Sequence, residues 1–300
     1  MRLYTFFLSL IFFSVLFFTP DFTLAAKQGS IELDPAYTEV ILDRPEKEET
    51  ITLTFKNNSK ASVNMEIFPI DFKQQNEKGG ISFIGKEAGS YSYSLSSFLT
   101  FESNHLDIDP GKKAELNVTI KNRLDLSPGG HYAAVVGRIV NESNDKNVVF
   151  PAISSLIFMR KVGGERFNLS IKDVGWPRNL LVFNYPTSFE ITFQNEGNTH
   201  LIPYGRGEIK DMFGRVLFKG IVNTSSAIVM PETRRIVPIQ FKPISSTLPV
   251  SFNRLSIKGN DSIKKTTFIY EESFIYFSPT LLILPFILLV LWFLRKRRRA

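Results

Sequence analysis

From Lys27 to Tyr270 apolar and polar positions alternate with a period of two, and a helical period is almost absent. Ile51, Leu53 and Phe55 fall on one face, as do Leu116, Val118 and Ile120. Farther along, Phe189, Ile191 and Phe193 share a face, and so do Val237, Ile239 and Phe241. Side chains alternate across a strand, so this spacing predicts strands with one buried face. Asn, Gly and Pro clusters separate the runs and no long helix intervenes, which predicts an all-β chain of antiparallel sandwiches.

The pattern repeats. Leu53–Lys60 (LTFKNNSK) aligns with Ile191–Asn198 (ITFQNEGN), Leu53 standing opposite Ile191. DPGKKAELNVTI aligns with MPETRRIVPIQF, with Pro110 opposite Pro231 and Pro128 opposite Pro249. The stretch between the two matched segments is longer in the first copy, which places an insertion there, over Gln74–Gly80 and the Gly- and Ser-containing stretch to Ser97. Two tandem immunoglobulin-like β-sandwich domains are expected, at 27–163 and 164–270, joined at Val162–Glu165 with limited relative motion. The apolar run Ala152–Met159 reads as a strand central in its sheet.

Both ends break the alternation. Arg2, the apolar run Leu3–Phe18, Thr19-Pro20 and Ala25-Ala26 describe a secretory signal peptide over 1–26, with an uncleaved anchor as the other reading. Phe274–Leu294 carries no charge. Crossing a bilayer takes about 20 apolar residues, so 274–294 reads as a C-terminal transmembrane helix. Tyr276 and Trp292 sit near its ends, where aromatic rings favour the interface. The basic tail, 295–300, stays on the cytoplasmic side, which puts residues 27–273 outside the cell membrane.

This layout accounts for the charge. The chain carries a formal +7, but Arg2 and Arg295–Arg299 supply six of its 36 basic residues. Residues 27–273 keep 30 basic against 28 acidic side chains, so they are close to neutral and no nucleic-acid partner is expected. Cysteine is absent, which excludes disulfides, thiolate metal sites and a cysteine nucleophile. The three histidines, His105, His131 and His200, lie in separate contexts, and neither HExxH nor GxSxG occurs. Gly205-Arg206-Gly207 opens no helix, and the acidic segment Glu102–Asp109 lacks the central glycine of a calcium loop. No enzyme, metal or cofactor is expected.

Ser127-Pro-Gly-Gly-His-Tyr-Ala-Ala-Val-Val136, with SLSSFLTF and DPGKKAELNVTI before it, resembles the first domain of the WxL-interacting proteins of Gram-positive bacteria. The order of signal, two immunoglobulin-like domains, membrane helix and basic tail is similar to theirs. The resemblance implies peptidoglycan binding by the first domain, host-matrix binding by the second, and a WxL surface protein as partner. The Pro-Gly-Gly-His-Tyr element is its best motif, and the second domain matches less well.

Candidate binding residues are aromatic or imidazole. Tyr91, Tyr93 and Phe98 alternate with serines, which suits either a sugar-stacking face or an edge strand packed on the core. Tyr132 has the placement of a tyrosine corner, with its hydroxyl bonded back to the loop; ligand contact by His131 or Tyr132 is the other reading. In Phe193–Gly205 (FQNEGNTHLIPYG), Asn195–Asn198 reads as a turn and His200 as a strand-start residue with local hydrogen bonds, or with Tyr204 as part of a binding edge. Trp176 reads as a seal between the domains or as an interface anchor. The function expected is a membrane-anchored extracellular binding or scaffolding protein of the bacterial envelope, whose partner is cell-wall polymer (peptidoglycan) or another surface protein. The alternative is an assembly chaperone acting by β-strand addition.

Overall fold

The computed structural model describes residues 31–44, 48–85, 91–140, 151–177 and 179–297. The expected signal peptide at 1–26 and the last residues of the basic tail lie outside them. Among the described residues the chain is all-β, with one α-helix near its C-terminal end.

The first ten strands form two facing sheets. One is ordered β1 (Ile31–Asp34), β3 (Glu49–Asn57), β8 (Lys113–Ile120), β6 (Leu99–Phe101). The other runs β2 (Tyr37–Leu42), β10 (Ala152–Lys161), β9 (Gly129–Ile139), β4 (Val63–Asn76), β5 (Gly79–Ile84), with β7 (His105–Ile108) also on β4. Leu53, Phe55, Leu116, Val118 and Ile157 fill the space between them. Period-two burial is clearest in β8, whose inward Leu116, Val118 and Ile120 are all buried.

The remaining strands form one eight-stranded sheet. They are β11 (Leu169–Val174), β12 (Leu181–Val182), β13 (Ser188–Asn195), β14 (Pro203–Asp211), β15 (Val216–Val222), β16 (Arg234–Pro243), β17 (Val250–Asp261) and β18 (Thr267–Phe277). Their order is β11-β13-β16-β15-β14-β17-β18-β12. β16 pairs with β13 over Arg234–Gln240 and with β15 over Ile239–Pro243, so it carries the sheet round a bend. The two arms then enclose one core that includes Phe193, Ile239, Leu255 and Phe274. The change of sheet falls between Lys161 and Leu169.

The sequence repeat is a repeat of hydrogen bonds. Asn57 Nδ2 donates to the carbonyls of Ala61 (2.7 Å) and Ile108 (2.8 Å). Asn195 Nδ2 donates to those of Thr199 (2.8 Å) and Val229 (3.0 Å). The near acceptors, Ala61 and Thr199, correspond in the alignment that sets Leu53 opposite Ile191. The far ones, Ile108 and Val229, correspond in the alignment that sets Pro110 opposite Pro231. Both asparagines are fully buried, and each ties the end of its strand to the turn that follows and to a distant segment.

Two expectations are corrected here. Only the second half of Ala152–Met159 is central in its sheet: β10 lies between β2 and β9, but β2 pairs only Leu156–Lys161, leaving Ala152–Ser155 paired with β9 alone among the described residues. Its apolarity has another cause. Ile157 and Met159 face the first core, whereas Leu156 and Phe158 face a separate cluster containing Met230 and Ile228 of the second half. The run at 274–294 is not one helix either. Phe274–Phe277 end β18, opposite Val250–Asn253, and Phe274 is buried in the second core. The helix, α1, begins at Thr280 and ends at Arg297. Among the described residues no helix is long and apolar enough to cross a membrane.

Replacing Asn57 or Asn195 by alanine is expected to lower stability by about 1–3 kcal/mol, more for Asn195, because Asn195→Ala strands two buried carbonyls and Asn57→Ala one, that of Ile108. Denaturant midpoints of the variants, set against the exposed Asn58→Ala, measure this; equal midpoints for all three would remove the asparagines as anchors.

Candidate functional site

Three of the sequence candidates, Tyr93, Tyr132 and His200, meet at the place where the two halves of the chain join. Tyr132, on β9, is fully buried although its side chain leaves the first core. Its ring packs against Phe72 (6.0 Å between centroids), Phe158 (5.7 Å), Tyr93 (6.3 Å) and His200 (5.6 Å). Its hydroxyl lies 3.2 Å from His200 Nδ1, a bond between residues 68 positions apart. Burial pushes the Tyr132 hydroxyl well above its usual range. The expected tyrosine corner is therefore replaced by a bond across the junction, because the second domain covers this face of β9.

His200 is not a locally bonded strand-start residue. Its ring also meets Phe158 at 5.3 Å, and its Nε2 lies 3.4 Å from Glu39 Oε1 on β2. The hydrogen bond from His200 holds the Glu39 carboxyl below its usual range, against partial burial. Glu39, His200 and Tyr132 thus form a chain of polar contacts walled by aromatic rings. No sequence signal marks Glu39 or Phe158 as members, since each sits at an ordinary position in an alternating strand.

The turn before His200 docks on the Pro-Gly-Gly corner. Gly130 N donates to Asn198 O (2.8 Å), and Asn198 Nδ2 donates to the carbonyls of Gly164 (3.1 Å) and Pro128 (3.4 Å). A Cβ on Gly130 would lie 2.0 Å from the Tyr132 hydroxyl, and Gly129 has φ +120°, so both glycines are needed for this approach. The inserted hairpin supplies a second dock. Ile236 N donates to Glu77 O (2.7 Å), and Gln74 accepts from Thr233 Oγ1 (3.1 Å) while donating to Arg234 O (2.5 Å). At the connection, Arg160 pairs with Glu165 at 3.1 Å, both side chains largely buried. Burial pushes the Glu165 carboxyl up, but the N–H groups of Gly163 and Gly164, with Arg160, hold it below its usual range.

The Tyr91–Phe98 stretch is pinned by the buried Asp71. That carboxylate accepts from Ser94 Oγ (2.6 Å), Leu95 N (2.8 Å), Ser96 N (2.7 Å) and Ser96 Oγ (2.8 Å). Ser94 and Ser96 thus serve Asp71, whereas Ser92 and Ser97 are exposed. Tyr93 turns to the junction cluster, where burial, with Glu232 adding to it, pushes its hydroxyl up to about 12. Tyr91 packs edge-on against Tyr93 at 5.8 Å. Phe98 packs on the first core beneath the Arg123 guanidinium, 5.7 Å from the ring centre. His131 is buried beside the junction, with Nδ1 2.9 Å from Ser94 O and Nε2 2.8 Å from Ser127 O. Burial lowers its pKa, opposed by those two carbonyls.

Tyr204 is not part of this cluster among the described residues. It is 40% exposed, and its hydroxyl reaches Ser226 Oγ at 3.5 Å. Trp176 does not seal the junction; it packs inside the second core against Phe189 (5.3 Å) and Phe274 (4.9 Å). Among the described residues no three His, Asp or Glu side chains gather as a metal site would require.

A feature with no counterpart in the sequence signals is the edge of β10 at Ala152–Ser154, which no strand among the described residues covers. Leu156 N donates to Ala36 O at 3.0 Å, toward β2, whereas Ile139 N reaches Pro151 O on the β9 side. Backbone groups alternate along a strand, so Ser154 and Ala152 present their N–H and C=O on the side where β2 has not begun. Tyr37, 63% exposed, marks the start of β2 opposite Leu156 and packs edge-on to Phe158 at 6.4 Å.

His200→Ala is expected to cost about 2–4 kcal/mol, since it leaves a cavity between two rings and a buried Tyr132 hydroxyl without a partner. Glu39 contributes with a definite sign. Its folded pKa lies below the ordinary 4.5, so its contribution is present above that pH and is lost as pH falls through the folded value. The denaturant midpoint of Glu39→Gln should lie below that of the parent at about pH 7 and meet it at about pH 3. A constant gap at both would detach Glu39 from the junction.

No family model and no curated protein matches the chain. Among solved structures it is similar to a chain of a chaperone–tip adhesin complex of CFA/I fimbriae, with TM-score 0.44 and 11% identity, covering 81% of this chain and 98% of that one. It is also similar to the class 5 fimbriae chaperone CfaA, with TM-score 0.40 and 8% identity over 81% and 99%. The CsuC–CsuE pre-assembly complex of Acinetobacter baumannii gives TM-score 0.39 and 12% identity over 81% and 97%.

Proposed function

We propose that this chain is a non-catalytic protein of the bacterial envelope, with two immunoglobulin-like domains, that holds an extended segment of another surface protein by β-strand addition. One observation carries the reading: among the described residues β2 leaves Ala152–Ser154 of β10 as an open sheet edge beside the exposed Tyr37. An added strand would take its main-chain bonds from Ala152 and Ser154 and pack side chains against Tyr37. A surface-protein partner is also the partner class implied by the resemblance to the WxL-interacting proteins. Peptidoglycan binding has less in its favour, because Tyr93 of the expected sugar-stacking face is taken up by the junction, and Ser94 and Ser96 by Asp71.

We further propose that α1 holds the protein at the cell membrane, with the β-domains on the outer side. Ile287 through Trp292 are six successive side chains, each at least 38% exposed. Six successive residues cover every direction around a helix, and a helix apolar all round is suited to lipid rather than to a groove on one protein. Arg295 and Arg297 then follow at the end where anionic headgroups would meet them.

Ser154→Pro removes one outward N–H while leaving the β9 ladder intact, so the variant is expected to fold. Surface proteins cross-linked to the full chain in intact cells should be captured by the parent and by Ser154→Ala, and lost with Ser154→Pro. Equal capture by a folded Ser154→Pro, or capture of cell-wall polymer alone, would overturn strand addition.

A further inference from the structure

The outer face of the eight-stranded sheet changes character along its strands. β17 and β18 pair Val250 with Phe277 and Phe252 with Ile275, and β18 pairs Ile275 with Leu181 of β12. Directly opposed residues in a ladder share a face. Phe252, Ile275 and Leu181 therefore form one row. Val250 and Phe277 begin the next, which Phe183 completes with its ring 6.3 Å from that of Phe277. Phe252 is 57% exposed, Phe183 47%, Leu181 44% and Val250 43%.

Beyond these two rows the same face turns polar at once. Arg254 faces Ser273 and Ser256 faces Glu271, with Glu271 ion-paired to Arg254 and to Lys258. The apolar rows are also the end nearest α1. Only Ser278 and Pro279 separate Phe277 from the helix, and Ser278 N is bonded to Pro249 O at 2.7 Å. The patch thus continues the apolar surface of α1 rather than standing apart from it.

We infer that this end of the second domain is a membrane-contact surface, with Leu181, Phe183, Val250, Phe252, Ile275 and Phe277 seated among lipid headgroups and upper acyl chains. The inference rests on the reading that α1 is held in the membrane. Dimensions favour lipid as the occupant. The uncharged part of α1, Thr280–Leu294, is about 22 Å long at 1.5 Å per residue, short of a hydrocarbon core of about 30 Å. Two rows of a sheet add about 7 Å, within the depth of about 5–10 Å at which interfacial segments sit. Arg254 then lies where a cation reaches phosphate groups.

The absence of cysteine allows single-site labelling. The full chain is reconstituted into phosphatidylcholine–phosphatidylglycerol vesicles containing lipid with a nitroxide high on the acyl chain. A fluorophore is placed in turn at Phe252→Cys, Leu288→Cys in α1, and Lys265→Cys at the opposite end of β17 and β18. At least about a twofold quenching of Phe252→Cys and Leu288→Cys, with Lys265→Cys unaffected, is the expected result for an interfacial surface. Quenching at Leu288→Cys alone would overturn the inference while leaving the anchor intact, including the case where a second copy covers the patch. No quenching at either site would sink the anchor and the contact surface together.

Discussion

The structure depends on the burial of both faces of β9 and β10. One face of this pair belongs to the first core, as in any sandwich. The other carries Tyr132 and Phe158, which the second domain covers with His200, Ile228 and Met230. Aromatic rings with a polar tip are stable inside only when the tip finds a partner. The Tyr132–His200 bond supplies one, so polar satisfaction and apolar burial act on the same contact. The docking of Asn198 on the Gly129–Gly130 corner and of the 74–79 hairpin on Thr233–Ile236 lies around this centre. The two sandwiches are fixed to one another at three places rather than strung on a tether.

Much of the fold was legible because its signals are local. Period-two spacing marks Ile51–Phe55 and Phe189–Phe193, and the asparagine after each strand betrays the repeat because it makes the same pair of bonds. The insertion was visible as extra length between the two matched segments of the first copy, but its purpose was not. That purpose is contact with a segment 159–160 positions away, which no window of sequence contains. The sequence around Tyr132 and His200 points to local roles for the same reason, since their bond joins residues 68 positions apart.

Two misreadings share a physical origin. Apolarity on both faces of Ala152–Met159 points to a strand central along its whole length, but only Leu156–Met159 are flanked on both sides, and the second apolar face serves a domain contact. Phe274–Phe277 looked like the start of a membrane helix because all four side chains suit lipid. The backbone there is already paired with Val250–Asn253, and a paired strand cannot wind into a helix. Hydropathy measures what a side chain prefers and says little about which backbone geometry brings it there. Trp176 is a related case, an aromatic beside a glycine and a proline that belongs to the interior of one domain.

The functional reading follows from where the junction leaves surface uncovered. Sheet edges and apolar stretches of an outer face are the places a sandwich offers to partners, since only its inner faces are used in building its core. Covering the outer face of β9 and β10 leaves Ala152–Ser154 of β10 as an edge among the described residues at one place, and the apolar rows beside α1 at another. The account therefore stands on the two domains keeping one mutual orientation. Electron–electron resonance on the full chain spin-labelled at Lys112→Cys and Lys265→Cys, one exposed site in each domain, tests this most directly. A single narrow distance distribution is predicted, broadened when His200→Ala is added. A broad or bimodal distribution in the parent would contradict it.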